Sequence, residues 1–209
     1  RAELQTLADF AARHNLWVVS DELHADLSFE GEHVPFASLS DDAAARTITL
    51  YGPTKAFNIP GMRISFAVSS SAALLKRLMA AGAGLVPAPN VLAMAATVGA
   101  YRGGDAWLSG TLDYLRGNRD IVVSFVRERL PHGGVHSPAA TYLAWLDMRG
   151  TDLGPAPAKA LAERAKVGLN EGSDFGLGGA GFVRLNFATT RPLLREALGR
   201  VAAAVGPRD

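Results

Sequence analysis

The sequence contains no cysteine. This absence excludes disulfide bonds, thiolate-ligated metals and cysteine nucleophiles, and it is typical of proteins of the reducing cytoplasm. No stretch approaches the apolar length that crosses a bilayer, and no charged-then-apolar signal segment opens the chain. We therefore expect a cytoplasmic protein with no membrane partner.

An excess of charge of one sign is also missing. The 21 basic and 20 acidic residues are mixed along the chain and leave a formal charge of +1. No run of lysine and arginine could follow a phosphate backbone, so we expect no nucleic-acid partner. With 48% hydrophobic and 20% charged residues, the 209-residue chain is predicted to fold as one large domain or two modest ones.

Strand and helix patterns alternate in the first half of the chain. Leu4, Leu7, Ala8 and Ala11 recur at helical spacing, and residues 71–81 also read as a helix. Apolar or β-branched runs, typical of buried strands, cover residues 16–19, 47–51 and 64–68. This alternation predicts an α/β fold in which helices cover both faces of a mostly parallel sheet.

The second half has a different pattern. After a Gly/Pro-rich loop at residues 82–90 and a helix from about Val91, one long helix is predicted over residues 105–130. A smaller α+β layer then follows, with strands at residues 142–146 and 182–187, a helix at residues 157–167 and a closing helix. We therefore expect one domain over residues 1–104 and a second, with the interdomain helix, over residues 105–209.

Three polar residues follow the first predicted strand, at the sheet edge where open α/β folds bind ligands. They are Asp21, Glu22 and His24. Taken alone, Asp21 fits a helix cap at least as well as a ligand-binding carboxylate. His24 alone is more typical of a surface or core histidine than of a catalytic one.

One lysine and two arginines stand in less ordinary positions. Lys55 follows a strand predicted to be buried, where an unpaired ammonium would be costly, although a lysine extending from a loop to solvent is the competing interpretation. Arg63 stands eight residues later and could simply precede the next strand. Arg184 lies in a strand that is otherwise apolar on that face, which suggests a carboxylate or phosphate ligand, with a structural salt bridge as a fair alternative.

Taken together, these motifs resemble a known enzyme family. VVSDELHADL (residues 18–27), GPTKAFNIPGMRIS (residues 52–65) and GFVRLNFAT (residues 181–189) occur in this order. They resemble the fold-type I pyridoxal-phosphate enzymes of the class I/II aminotransferase superfamily, and within it the cystathionine β-lyase, or C–S β-lyase, branch. His24 points to that branch, because related aminotransferases usually have tyrosine there.

The resemblance implies a cofactor, pyridoxal 5'-phosphate, and a role for each matching residue. Lys55 would form the Schiff base and then act as general base at the substrate Cα. Asp21 would pair with the pyridine nitrogen. Arg63 would bind the cofactor phosphate with help from the Thr54 hydroxyl.

The resemblance also implies the substrate and the assembly. Arg184 would hold the carboxylate of a small amino-acid substrate, and His24 would lie near the phenolic oxygen of the cofactor. The implied reaction cleaves cystathionine-like amino acids to a thiol, pyruvate and ammonia, with transamination as the alternative outcome. A homodimer is expected, and no metal is implied.

The resemblance covers the C-terminal portion of a family whose members are nearly twice as long. We therefore expect a longer native enzyme, with the N-terminal part of its large domain outside this chain, and weak or no cofactor binding by the 209 residues alone. An inactive or regulatory fragment is a third alternative. Gly52 also departs from the family, because many relatives have a phosphate-binding serine there.

Overall fold

A computed structural model describes residues 1–130 and 132–206, and these form two compact units, Arg1–Ser109 and Gly110–Asp209. Their boundary falls five residues after the predicted one. The assignment of the units to a cofactor-binding domain and a small domain stays a prediction. Within the described ranges, no helix has both the length and the apolar character to span a membrane.

The first unit alternates helices with the strands of one sheet. Its elements are α1 (Ala2–Arg13), β1 (Val18–Asp21), α2 (Asp41–Arg46), β2 (Thr47–Tyr51), β3 (Phe66–Val68), α3 (Ala72–Gly82) and α4 (Val91–Gly103). Three helices begin at polar side chains that accept hydrogen bonds from backbone amides, as sequence rules for helix starts predict. These caps are Ser40, Ser71 and Asn90.

The sheet of the first unit has the order β1-β2-β3. β1 and β2 are parallel, with Asp21 opposite Leu50, whereas β2 and β3 are antiparallel, with Tyr51 opposite Phe66. The described sheet therefore has one parallel and one antiparallel pairing, where the sequence predicted mostly parallel strands. The difference arises because β3 follows β2 through residues 52–65, a connection without an α-helix that returns the chain antiparallel to β2.

β1 differs from the sequence prediction in two ways. It begins at Val18, two residues late, so that Asp21 ends the strand instead of following it. The prediction of a strand buried on both faces was wrong, since Val19 is 65% exposed. Side chains alternate between the two faces of a strand, and it is Val18, on the face opposite Val19, that packs on the small core that includes Ala8 and Phe36.

The second unit is an antiparallel sheet packed with helices, as predicted. Helix α5 (Asp105–Arg129) leads into β4 (Gly134–Val135), β5 (Leu143–Asp147), α6 (Pro157–Arg164), β6 (Asn170–Glu171), β7 (Phe182–Asn186) and α7 (Arg191–Ala204). The strand order is β4-β5-β7-β6. Alternate residues of β5 and β7 enter a core in which Leu146, Val183 and Leu198 are at most 1% exposed.

A buried polar contact joins α5 to the end of β7. The Asn118 amide is fully buried and donates to the carbonyl oxygens of Phe187, at 2.9 Å, and Thr189, at 2.8 Å. These two carbonyls lie just beyond the strand ladder, so the side chain supplies donors that the sheet does not. The contact fixes the exit of β7 against α5.

Candidate active site

Three predicted site residues lie at one edge of the first unit's sheet. Parallel strands end at the same edge, and Asp21 is the last residue of β1 while Lys55 follows the end of β2 by four residues. β3 runs the opposite way, so its start, which Arg63 precedes by three residues, lies at that edge too. A carboxylate, an amine and a guanidinium are therefore brought together by the topology.

Lys55 belongs to a hydrogen-bonded turn directly after β2. The Phe57 amide donates to the Pro53 carbonyl at 2.9 Å, and the Ile59 amide donates to the Thr54 carbonyl at 3.1 Å. Thr54 and Lys55 are both half-buried, so the lysine is less desolvated than a site after a fully buried strand would require. The turn fixes the backbone on both sides of the amine.

Gly52, at the beginning of this turn, is tightly enclosed by backbone. A Cβ atom there would lie 3.1 Å from both the Ile64 carbonyl oxygen and the Ser65 Cα. A serine at this position would therefore press on the backbone that leads into β3. The departure from the family's serine is matched by the local packing.

Arg63 has an unusual backbone conformation. Its φ and ψ of 49° and 50° are left-handed, and it directly follows the 3-10 turn Pro60–Met62. For a residue with a side chain, this conformation costs about 1 kcal/mol, and such residues cluster at functional sites. The side chain is exposed at the sheet edge, where it could reach an anion.

Asp21 is exposed and shapes the turn that follows β1. Its Oδ1 accepts a hydrogen bond from the Leu23 amide at 3.2 Å, so it caps this turn and not a helix. His24 lies half-buried within the turn, where its carbonyl accepts from the Leu27 amide at 3.0 Å. We call residues 22–27 the His24 turn.

Glu22 holds the beginning of the His24 turn. This carboxylate is 6% exposed and accepts hydrogen bonds from the Ser20 hydroxyl at 2.9 Å and the Phe36 amide at 3.0 Å. Its second oxygen lies 2.9 Å from the His33 Nε2. The sequence placed Glu22 beside the site, but its anchoring role depends on partners up to 14 residues away.

Asp26 and Tyr51 form a second contact that the sequence analysis missed. The Tyr51 hydroxyl lies 2.6 Å from each carboxylate oxygen of Asp26 and donates to them. Burial, followed by this hydrogen bond, raises the pKa of the Tyr51 phenol well above its usual value. The sequence signals for this contact were weak: an acidic residue near His24 and a tyrosine at the end of a predicted strand.

Arg184 belongs to the second unit, on β7 between β5 and β6. Its Nη2 donates to the Asn170 Oδ1 at 3.2 Å, and its Cζ lies 4.3 Å from the centre of the Phe175 ring. Its Nε is buried without a hydrogen-bond partner in the described part of the chain. Arg184 shares its face of β7 with Phe182 and Asn186, so that face is less apolar than the sequence suggested.

The alternative role for Arg184 was a structural salt bridge. Among residues 1–130 and 132–206, no carboxylate forms an ion pair with it, and its contacts are an amide and an aromatic ring. Tyr142 is nearby: burial raises the pKa of its phenol, and the positive charge of Arg184 opposes that rise. The described contacts of the guanidinium are therefore with neutral groups.

The arrangement of these residues agrees with a match to a known family. The family described as aminotransferase class I and II matches residues 1–201. The chain belongs to this family. The family resemblance predicted from the three motifs is confirmed.

Similar proteins cover nearly all of this aminotransferase-family chain. It is 36% identical to the cystathionine beta-lyase PatB of Bacillus subtilis (strain 168), over 98% of the chain and 54% of PatB. The crystal structure of OvoB superposes with a TM-score of 0.92 at 44% identity, covering 98% of this chain and 53% of OvoB. Cystalysin from Treponema denticola, whose structure contains a pyridoxal 5'-phosphate cofactor, superposes with a TM-score of 0.92 at 31% identity, covering 98% and 52%.

These matches confirm the predicted aminotransferase fold. The chain spans about half the length of the relatives it matches. The topology brings Asp21, Lys55 and Arg63 to one sheet edge with Thr54 and His24 in the adjoining turns, while Arg184 lies in the second unit.

Proposed function

We propose that the protein containing this chain is a pyridoxal-phosphate-dependent C–S β-lyase that acts on cystathionine-like amino acids. The observation that carries the proposal is the topology, which places Asp21, Lys55 and Arg63 at the end of the sheet where β1 and β2 finish. The names of PatB and of the cofactor-containing cystalysin support it. Membership of the aminotransferase class I and II family supports the proposal more generally.

The side chains present fit this cofactor chemically. A pyridine nitrogen requires an acid partner, an aldehyde requires an amine and a phosphate requires a cation or hydroxyl donors; this edge carries Asp21, Lys55, Arg63 and Thr54. When bound, pyridoxal phosphate supplies an electron-accepting ring that stabilises negative charge at the substrate Cα. The remaining tasks belong to the protein.

Lys55 would hold the cofactor through its amine and, after the substrate takes that place, move the proton at the substrate Cα. The turn that encloses Lys55 limits where its Nζ can reach. Asp21 would keep the ring nitrogen protonated, and its hydrogen bond from the Leu23 amide orients the carboxylate. Arg63 and the Thr54 hydroxyl would bind the phosphate.

Arg184 would hold the substrate carboxylate. The Asn170 oxygen already engages one Nη2 proton and Phe175 lies under the guanidinium, so the plane of the group is fixed before any ligand arrives. A guanidinium held in this way can offer two parallel donors to a carboxylate. The buried Nε without a described partner is consistent with a site that a ligand completes.

His24 separates the lyase proposal from its nearest alternative. An aminotransferase would use the same lysine, acid and arginines, but related aminotransferases usually have tyrosine at this position. We assign His24 to the neighbourhood of the cofactor's phenolic oxygen. We further propose a homodimeric, cytoplasmic enzyme, with weak or no cofactor binding by the 209 residues alone.

The test is an assay of the full-length protein that contains this chain. With cystathionine, the lyase proposal expects pyruvate and a free thiol in equal amounts, and transamination would instead give a keto acid that retains sulfur. Lys55→Ala should lower turnover by about 10³-fold or more. Lys76→Ala, at an exposed lysine of α3, should leave it unchanged. The proposal fails if Lys55→Ala retains wild-type turnover, and an inactive full-length protein would favour the regulatory alternative.

A further inference from the structure

The contact between Asp26 and Tyr51 joins the two turns that carry the proposed cofactor residues. Asp26 stands two residues after His24, and Tyr51 stands four residues before Lys55. Their hydrogen bonds, at 2.6 Å to each carboxylate oxygen, span 25 residues of sequence. No role assigned above uses either side chain.

An aromatic cluster holds the tyrosine in place. The Tyr51 ring stacks on Tyr101 of α4, with centroids 6.2 Å apart and planes 18° apart, and it contacts Phe66 of β3 at 5.7 Å. Phe57, two residues after Lys55, meets the edge of Tyr101 at 5.5 Å. The cluster therefore fixes both ends of the segment that contains Lys55.

Gly104 makes room for this cluster. A Cβ atom at that position would lie 2.4 Å from the Phe57 ring, so the ring packs directly on the backbone between α4 and α5. Side chains of three elements, β2, β3 and α4, thus converge on the segment after β2. This packing directs the Tyr51 hydroxyl at Asp26. Both oxygens of the Asp26 carboxylate lie within hydrogen-bond distance of it.

The other end of the His24 turn is already anchored. Glu22 is held by Ser20, Phe36 and His33, so the turn is fixed at its beginning by one buried carboxylate. Asp26 fixes its end. Leu27, at the end of the turn, is 1% exposed and packs in the core, and the Asp26–Tyr51 contact adds a direct polar link from that end to β2.

We propose that Asp26 and Tyr51 are positioning residues, a clamp that fixes the His24 turn against the Lys55 turn so that cofactor-binding groups on both keep a constant separation. The proposal rests on the cofactor site proposed above. Neither residue touches the reacting atoms in this role. The clamp acts through the backbone of the two turns.

The first test needs no cofactor. In the full-length protein without pyridoxal phosphate, Tyr51→Phe keeps the ring stacked on Tyr101 but removes the donor. We expect amide hydrogen exchange of Ala25, Leu27 and Phe57 to become about tenfold faster. Tyr114→Phe is the matched control: its hydroxyl accepts a hydrogen bond from the Arg191 amide, at 2.9 Å in the second unit, and its loss should leave those three amides unchanged.

The second test measures pyridoxal phosphate binding from the absorbance of the Lys55-linked cofactor. Tyr51→Phe should raise the dissociation constant about tenfold, and the double variant Asp26→Ala/Tyr51→Phe should be no weaker than the weaker single variant, because partners in one contact are not additive. If the wild-type protein takes up no cofactor, the proposed function fails, while the exchange test still decides whether the clamp exists.

Three results would overturn the clamp. If Tyr51→Phe exchanges the amides of Ala25, Leu27 and Phe57 no faster than Tyr114→Phe does, the Tyr51 hydroxyl does not fix the turns. Faster exchange with cofactor affinity within twofold of wild type would remove its positioning role. Additive losses in the double variant would show that Asp26 and Tyr51 act separately.

Discussion

The two units are stabilised by different kinds of contact. In the second unit, the inward residues of the sheet are sealed: Val183 is fully buried and Leu146 is 1% exposed. In the first unit, Val19 is 65% and Val68 is 54% exposed, while buried or half-buried carboxylates join the turns at the sheet edge. The comparison teaches that apolar packing dominates the second unit, whereas polar links organise the proposed site.

The largest expected effect comes from making the same substitution in both sheets. Val183→Ala should cost the second unit about 2–3 kcal/mol, from lost burial and the cavity left behind. Val19→Ala should cost the first unit no more than about 0.5 kcal/mol, since the side chain is mostly in solvent. Hydrogen exchange of β5 and β2 amides reads the two units separately. Equal losses of stability from Val183→Ala and Val19→Ala would contradict the difference between the two units.

The next effect concerns the buried carboxylate of the first unit. Glu22→Gln keeps one acceptor oxygen but replaces the oxygen beside His33 with an amide, and it should destabilise the unit by about 2 kcal/mol. Glu32→Gln, at an exposed neighbour, is the control and should change stability by less than about 0.5 kcal/mol. Urea unfolding measures both. Indistinguishable variants would show that polar links do not organise this unit.

A smaller difference is expected at the helix starts. The Asn90 Oδ1 caps α4 by accepting from the Ala93 amide at 2.8 Å, so Asn90→Ala should cost about 1 kcal/mol. Thr190 precedes α7 without a side-chain cap bond, so Thr190→Ala should cost no more than about 0.5 kcal/mol. Thermal unfolding of the two variants measures this difference. A larger loss of stability from Thr190→Ala than from Asn90→Ala would contradict the prediction.

The smallest expected effect is a surface pair of the second unit. Hydrogen bonds from Arg149 hold the pKa of the Asp147 carboxyl below its usual value. A carboxyl with a lowered pKa in the folded state stabilises it at neutral pH, and this contribution is lost as the pH falls through that pKa. Asp147→Asn should therefore cost less than about 1 kcal/mol at pH 7 and progressively less as the pH falls through the lowered pKa. A loss that grows in acid would contradict this assignment.

Local patterns predicted the elements whose signals are local. β2 was predicted to the residue because a run of β-branched and apolar residues is bounded by turn residues, and the start of α4 followed from the loop ending at Asn90. The two-residue strands β4 and β6 were not predicted, because they are too short to show alternation. They exist because β5 and β7 offer edges to pair with.

The residues of the candidate site could be proposed from the sequence, but the contacts that hold the surrounding turns could not. Lys55, Asp21 and Arg63 follow from motifs that lie beside strand ends, and the topology places them at one edge. The partners of Glu22 and Tyr51 could not be predicted, because those contacts form only when distant turns meet. Burial was overestimated at Lys55, since a strand's composition does not show what covers the loop after it.

The left-handed backbone at Arg63 sets conformational stability against the proposed phosphate binding at a single position. Glycine there would relieve about 1 kcal/mol of conformational cost, so selection for folding alone would favour Arg63→Gly. The same change would remove the only charge that this turn offers to a phosphate. If Arg63 binds the phosphate as proposed, redesigns that aim to stabilise this chain should leave the arginine unchanged.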